Sequence, residues 1–156
     1  KVGVDIPQGK NLVGAFKHPD RVLIDLDVLA TLPAREWRCG MAEVLKHGLL
    51  ADEGLLDTAL HAPEKAAELV RRAIQVKVDV VEQDPYEHGV RAHLNLGHTF
   101  AHAFERVTNY AIPHGEAVGI GLRAAVLLSK RLGLCDSGLV QRVEDALAEE
   151  IGRVHV

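Results

Sequence analysis

The sequence holds 156 residues, 47% hydrophobic and 26% charged, with a formal net charge of −4. That is one domain's worth of chain, long enough to bury a real core. No run approaches the ~18 unbroken apolar residues that a membrane span needs, and the mixed charge has no basic stripe, so neither a bilayer nor a nucleic acid is the expected partner.

The chain opens on "KVGVDIPQGK", without the basic and apolar regions of a secretory signal, and a cytoplasmic setting is the default expectation. "VGVDI" and "NLVGAF" are β-prone runs flanking "PQGK", and "RVLIDL", introduced by "HPD", reads as a third short strand. From Pro33 the periodicity turns helical: Trp37, Met41, Val44, Leu45 and Leu49 recur at three-and-four spacing, and a proline in the first turn suits a helix start. Cys39 in this run and Cys135 are the two cysteines; without CxxC spacing they are expected to be reduced and structural.

A second long helix is predicted over "PEKAAELVRRAIQVKVDVVEQD", its apolar stripe formed by Ala66, Leu69, Val70, Ala73, Val76, Val80 and Val81, ending near Pro85. A third should carry residues 95–107, a fourth should run from about Gly115 to Arg131 and stop at Gly133, and "SGLVQRVEDALAEE" is a fifth. The expected fold is therefore mainly α: a compact multi-helix domain over 33–156, with a short β remnant in residues 1–32 that looks like the end of something else.

The nine histidines raise the expectation of a metal or proton-transfer site. In "LNLGHTFAHAFE", His98 and His102 stand one helical turn apart on one face, framed by Asn95 and Glu105. HxxxH alone is a weak signal. Its context adds Asn95 three residues before His98, and "IPHGEA", which supplies His114 where a helix should begin and offer free N–H groups. Glu43 in "GMAEVLKHG" is the natural oxygen ligand, with Lys46 at i+3 facing the same pocket. Two histidines and a glutamate with a fourth position open form a precedented catalytic zinc arrangement.

Plainer readings stand beside these. Glu43 and Lys46 also fit an exposed helical pair, Lys77 among valines fits a snorkelling side chain, and Arg91 fits a loop cap. "GIGLRA" matches GxGxxA but follows no strand, so close helix packing explains it better than a dinucleotide loop. His18, His47, His61, His88, His93 and His155 are read as bystanders.

Taken together, "GKNLVGAF" then "HP", "TLPAREWRCGMAEVLKHGLLAD", a lysine, "DPYEHGVRAHLNLGHTFAHAFE" and "HGEAVGIGLRAA" resemble the 3-dehydroquinate synthase family of the shikimate pathway, from Lys1 to about Gly133. The resemblance implies an NAD-dependent, zinc-dependent (or cobalt-dependent) lyase converting the seven-carbon phosphate DAHP to 3-dehydroquinate and phosphate, working as a homodimer in the complete enzyme. It places the metal on Glu43, His98 and His114, and so splits the helical pair, leaving His102 to face the substrate near its phosphate. Lys46, Lys77, Arg91 and Asn95 match substrate-contacting positions, Lys1, Lys10 and Asn11 match residues of the cofactor and substrate side, and Asp84 and Glu87 match an acidic pair of open role.

Family members are about twice this long and carry an N-terminal Rossmann-like NAD domain. Residues 1–32 then correspond to the tail of that domain and 33–156 to the metal- and substrate-binding half. The resemblance leaves two other readings in play. One is a related sugar-phosphate cyclase making 2-deoxy-scyllo-inosose or a valiolone; the other is a non-catalytic helical metal-binding domain.

Overall fold

The computed structural model describes residues 2–15 and 17–152. Strands β1 (Val2–Ile6) and β2 (Gly9–Ala15) form an antiparallel hairpin. The pairing runs Val2↔Ala15, Gly3↔Gly14, Val4↔Val13 and Ile6↔Gly9, with an irregularity between Val4 and Ile6. Among its described apolar side chains, Val4, Leu12 and Val13 each stay more than half exposed.

The third strand expected at "RVLIDL" does not form. Residues 21–26 carry no strand or helix, and Val22, Leu23 and Ile24 face solvent, Leu23 at 92% exposure. β-prone side chains are not enough for a strand; its N–H and C=O groups need a neighbouring edge, and the described sheet has two strands only.

The helical part follows the predicted periodicities closely. Helix α1 (Ala34–Leu50) starts behind Pro33, and α2 (Ala66–Gln83) follows a 3-10 turn over Pro63–Lys65. Helix α3 spans His98–Val107, α4 spans His114–Arg131, and α5 spans Ser137–Glu150, where the Asp136 side chain caps by accepting from the Leu139 N–H. None of these helices is long and apolar enough to cross a membrane.

Two clusters make the core, and α1 belongs to both. Ala42 and Leu45 pack with Ala101 of α3, Ala117, Val118 and Leu122 of α4, and Val143 and Leu147 of α5. On the other side of α1, Met41 meets Leu55, Leu60, Leu69, Ala73 and Val76. The i, i+3, i+4 spacing of these residues lets one helix bury two stripes.

Helix α3 begins three residues later than predicted. Gly97 takes a left-handed φ of +78° and a 3-10 turn covers Val90–Asn95, so Asn95 precedes α3 instead of sharing its face with His98. Gly97 also sits where its carbonyl meets Gly121 of α4 so closely that a side chain on Gly121 would overlap it. Gly119 likewise faces Ile151, so "GIGLRA" is indeed a packing surface and lies inside α4. A third close approach sets Gly115 of α4 against the backbone of Cys39 in α1. This one positions the site: Glu43 lies one turn beyond Cys39, and His114 immediately precedes Gly115.

Candidate metal centre and active site

Glu43, His98 and His114 come from three different helices, α1, α3 and α4, and each offers a ligand atom within 4.8 Å of the others. Glu43 divides its oxygens. Oε2 accepts from the buried Lys46 ammonium, while Oε1 lies 3.6 Å from His98 Nε2 and 3.5 Å from His114 Nε2. Two ligands held at about 2.1 Å from one tetrahedral metal stand about 3.4 Å apart, so this spacing suits an ion between them. The far ring nitrogens are turned away: His98 Nδ1 donates to the Leu96 carbonyl at 3.2 Å and His114 Nδ1 to Glu105 Oε1 at 3.1 Å. The donor set is thus two imidazoles and one carboxylate with both Nε2 atoms aimed inward, and it fits zinc or cobalt.

The electrostatics keep Glu43 anionic and move the two histidines in opposite directions. Burial works against ionisation of Glu43, but the His114 hydrogen bond and the Lys46 ammonium outweigh it and hold the carboxyl at about 2. His98 is shifted down, chiefly by burial, with the Leu96 carbonyl opposing and Lys46 assisting. His114 is shifted up, first by Glu43, against burial, and then by Glu105.

Beside this centre lies a cleft of about 380 Å³. Its walls bring together most of the residues expected from the sequence: Glu43, Lys46, Lys77, Arg91, Asn95 and His98. Lys77 is exposed at the rim, while Arg91 is half-buried and donates to the Pro85 carbonyl at 2.6 Å. Arg91 is carried by a turn organised around Asp84, whose carboxylate accepts from the backbone N–H groups of His88, Gly89 and Arg91 at 2.7–3.1 Å. The His88 bond, against the effect of burial, and then the other two hold Asp84 at about 2. Glu87, at a left-handed φ of +64°, accepts from Asn95 Nδ2 at 3.3 Å in the same wall.

His102 does not join the three ligand atoms. It stands exposed on α3 with its ring 5.5 Å from that of His98 and 6.5 Å from that of His114. Lys1 lies outside the described residues. Lys10 and Asn11 belong to β2, but their side chains also lie outside what is described.

Two residues that sequence reasoning left without a role are part of this region. His47 lines the cleft, buried, and among the described residues its Nδ1 has no hydrogen-bond partner. Burial first, then Lys46, lowers it to about 4. Its i+4 distance from Glu43 was the available signal. Glu105 is 3% exposed behind His114; it stands seven residues, two helical turns, after His98, so the same helix face carries both.

Comparison with known proteins agrees with this architecture. The sequence model for 3-dehydroquinate synthase C-terminal matches residues 40–154, and that for 3-dehydroquinate synthase N-terminal matches residues 1–39. The 3-dehydroquinate synthase of Caulobacter vibrioides is 47% identical over 160 residues, covering 94% of this chain and 42% of its own. That of Synechocystis is 48% identical over 159 residues, covering 94% and 44%. The chain thus spans less than half the length of these relatives. Among solved structures, the 2-epi-5-epi-valiolone synthase ValA of Streptomyces hygroscopicus, with NAD+ and Zn2+ bound, superposes with a TM-score of 0.84 at 31% identity, covering 98% of this chain and 46% of its own. A 2-deoxy-scyllo-inosose synthase complexed with carbaglucose-6-phosphate, NAD+ and Co2+ gives 0.81 at 28% identity, covering 96% and 43%. By the extent of the sequence match and the helical architecture that goes with it, the chain belongs to the 3-dehydroquinate synthase family.

Proposed function

We propose that this chain is the metal- and substrate-binding half of a 3-dehydroquinate synthase, residues 1–32 being the tail of the NAD-binding part and 33–156 the helical half. The observation that carries the reading is the cleft itself, which sets Lys46, Lys77 and Arg91 beside the Glu43–His98–His114 donor set. A substrate bearing a phosphate, a carboxylate and an oxidisable hydroxyl needs cations at its ends and a carboxylate–imidazole centre at the reacting carbon.

When bound, zinc or cobalt supplies a Lewis acid at the reacting hydroxyl and carbonyl, and NAD accepts and returns the hydride. Glu43, His98 and His114 hold the metal. Lys46 fixes Glu43 through Oε2 and keeps Oε1 facing inward. Lys77 and Arg91 receive the anionic groups, Arg91 in the planar fork suited to a carboxylate or phosphate. Asn95 fixes Glu87 in the wall and presents its amide to the substrate hydroxyls. His102, exposed beside the two histidine ligands, faces the phosphate and assists proton movement. Lys1, Lys10 and Asn11 serve the cofactor side, and the complete enzyme is a homodimer.

A related sugar-phosphate cyclase is the second reading, favoured by the superposition on valiolone and inosose synthases. The closer identity to 3-dehydroquinate synthases weighs against it. Phosphate release should be followed for the complete protein, with NAD and zinc, on DAHP and on hexose and heptulose phosphates. Release from DAHP is expected; turnover confined to the other sugar phosphates would replace the first reading with the second.

A further inference from the structure

His98 and His114 solve the same problem with different acceptors. Each must keep a lone pair on Nε2, which requires the proton to sit on Nδ1. His98 gives that proton to a backbone carbonyl, at 3.2 Å from Leu96 O. His114 gives it to a side chain, at 3.1 Å from Glu105 Oε1.

A carboxylate in that place is costly. Glu105 is 3% exposed, and taking a charge out of water needs compensation. Its surroundings supply some: its Oε1 lies against His114, the first residue of α4, where the helix dipole favours an anion. The imidazole of His114 adds a hydrogen bond at 3.1 Å. Glu105 holds the ring at Nδ1, at 3.1 Å, while Nε2 faces Glu43 Oε1 across 3.5 Å. His114 needs such a grip more than His98 does, because its side chain is 48% exposed against 13% for His98. An exposed imidazole at the first position of a helix is free to turn.

We propose, resting on the metal reading above, that Glu105 is the positioning residue of the centre: it fixes the tautomer and ring plane of His114 and makes Nε2 a better donor to the ion. Carboxylate–imidazole–metal pairing of this kind changes metal affinity 10–100-fold when the carboxylate is lost.

The test is Co2+ binding by the 156-residue chain, read by competition with a chromophoric chelator and by the visible ligand-field bands. Wild type is compared with Glu105→Ala, Glu105→Gln and His114→Ala. Glu105→Ala is expected to weaken Co2+ about 10–100-fold and alter the bands. Glu105→Gln, which keeps an acceptor of the same shape, should recover part of the affinity while its metal-free Tm stays near that of wild type. Should Glu105→Ala fail to fold, Glu105→Gln alone decides. Wild-type affinity and bands in the variants overturn the inference, as does a loss in Glu105→Gln matched by a fall in its metal-free Tm, which would make Glu105 a structural tie between α3 and α4. A wild-type chain that takes up no Co2+ overturns the metal reading, and this inference with it.

Discussion

Glu43 is the residue on which the centre turns, because its two oxygens face opposite ways, one to Lys46 and one to the histidines. Replacing any one ligand leaves two, too few for a stable site, so His114→Ala should reduce bound zinc from about one per chain to near none by elemental analysis. His47 makes a different kind of prediction. Burial holds its folded-state titration at about 4, whereas an unfolded histidine titrates near ~6.5. Between those values the unfolded chain binds the extra proton, so the stability contributed by neutral His47 is full above about pH 6.5 and is lost progressively as pH falls to about 4. Urea midpoints measured across that range should fall more steeply for wild type than for a His47→Gln variant. Spacing alone could name His98 and His102 as a pair, because they share a helix face. It set His114, sixteen residues after His98 in sequence, at a nearby helix start, but that His114 and not His102 takes the second imidazole position was implied only by the family motif. Asp84 was legible as part of an acidic pair but not as the acceptor that shapes the turn carrying Arg91, since backbone N–H groups leave no trace in residue identity.

Among the elements, the packing of α4 against its neighbours depends on missing side chains. A Cβ on Gly115 would overlap the Cys39 backbone, and one on Gly121 would overlap the Gly97 carbonyl. Gly121→Ala should cost about 1–3 kcal/mol in chemical denaturation, the usual range for overpacking. Gly115→Ala should add a functional effect, since pushing α4 off α1 separates His114 from Glu43; metal affinity is expected to fall by more than the loss of stability alone explains, and equal metal binding by a destabilised variant would contradict this. The five helices were legible because their apolar residues recur at helical spacing and most are bounded by proline, aspartate or glycine. The start of α3 was misjudged, as Gly97 adopts a backbone conformation that breaks the helix although the residues before it look helical. "RVLIDL" failed for a different reason: strand formation is a property of two segments, and the described partner for residues 21–26 is absent.

At the scale of the whole molecule, the chain is built of two unequal parts. The helices enclose a shared core, while the hairpin and residues 21–24 display apolar side chains to water. Leu23→Ser is therefore expected to raise solubility and leave the thermal unfolding of the helical part within ~0.5 kcal/mol of wild type, as for surface positions generally. The origin of the three proposed ligands in three helices has a further consequence. An ion held by α1, α3 and α4 together is captured by the assembled bundle and released by the unfolded chain, so its binding free energy is also folding free energy. Free metal concentration becomes a variable of stability, like temperature or urea: at a hundred times the Kd it should add about 2.7 kcal/mol. A chelator is then expected to act as a denaturant, and Tm to climb with the logarithm of zinc concentration, a slope that His114→Ala should flatten.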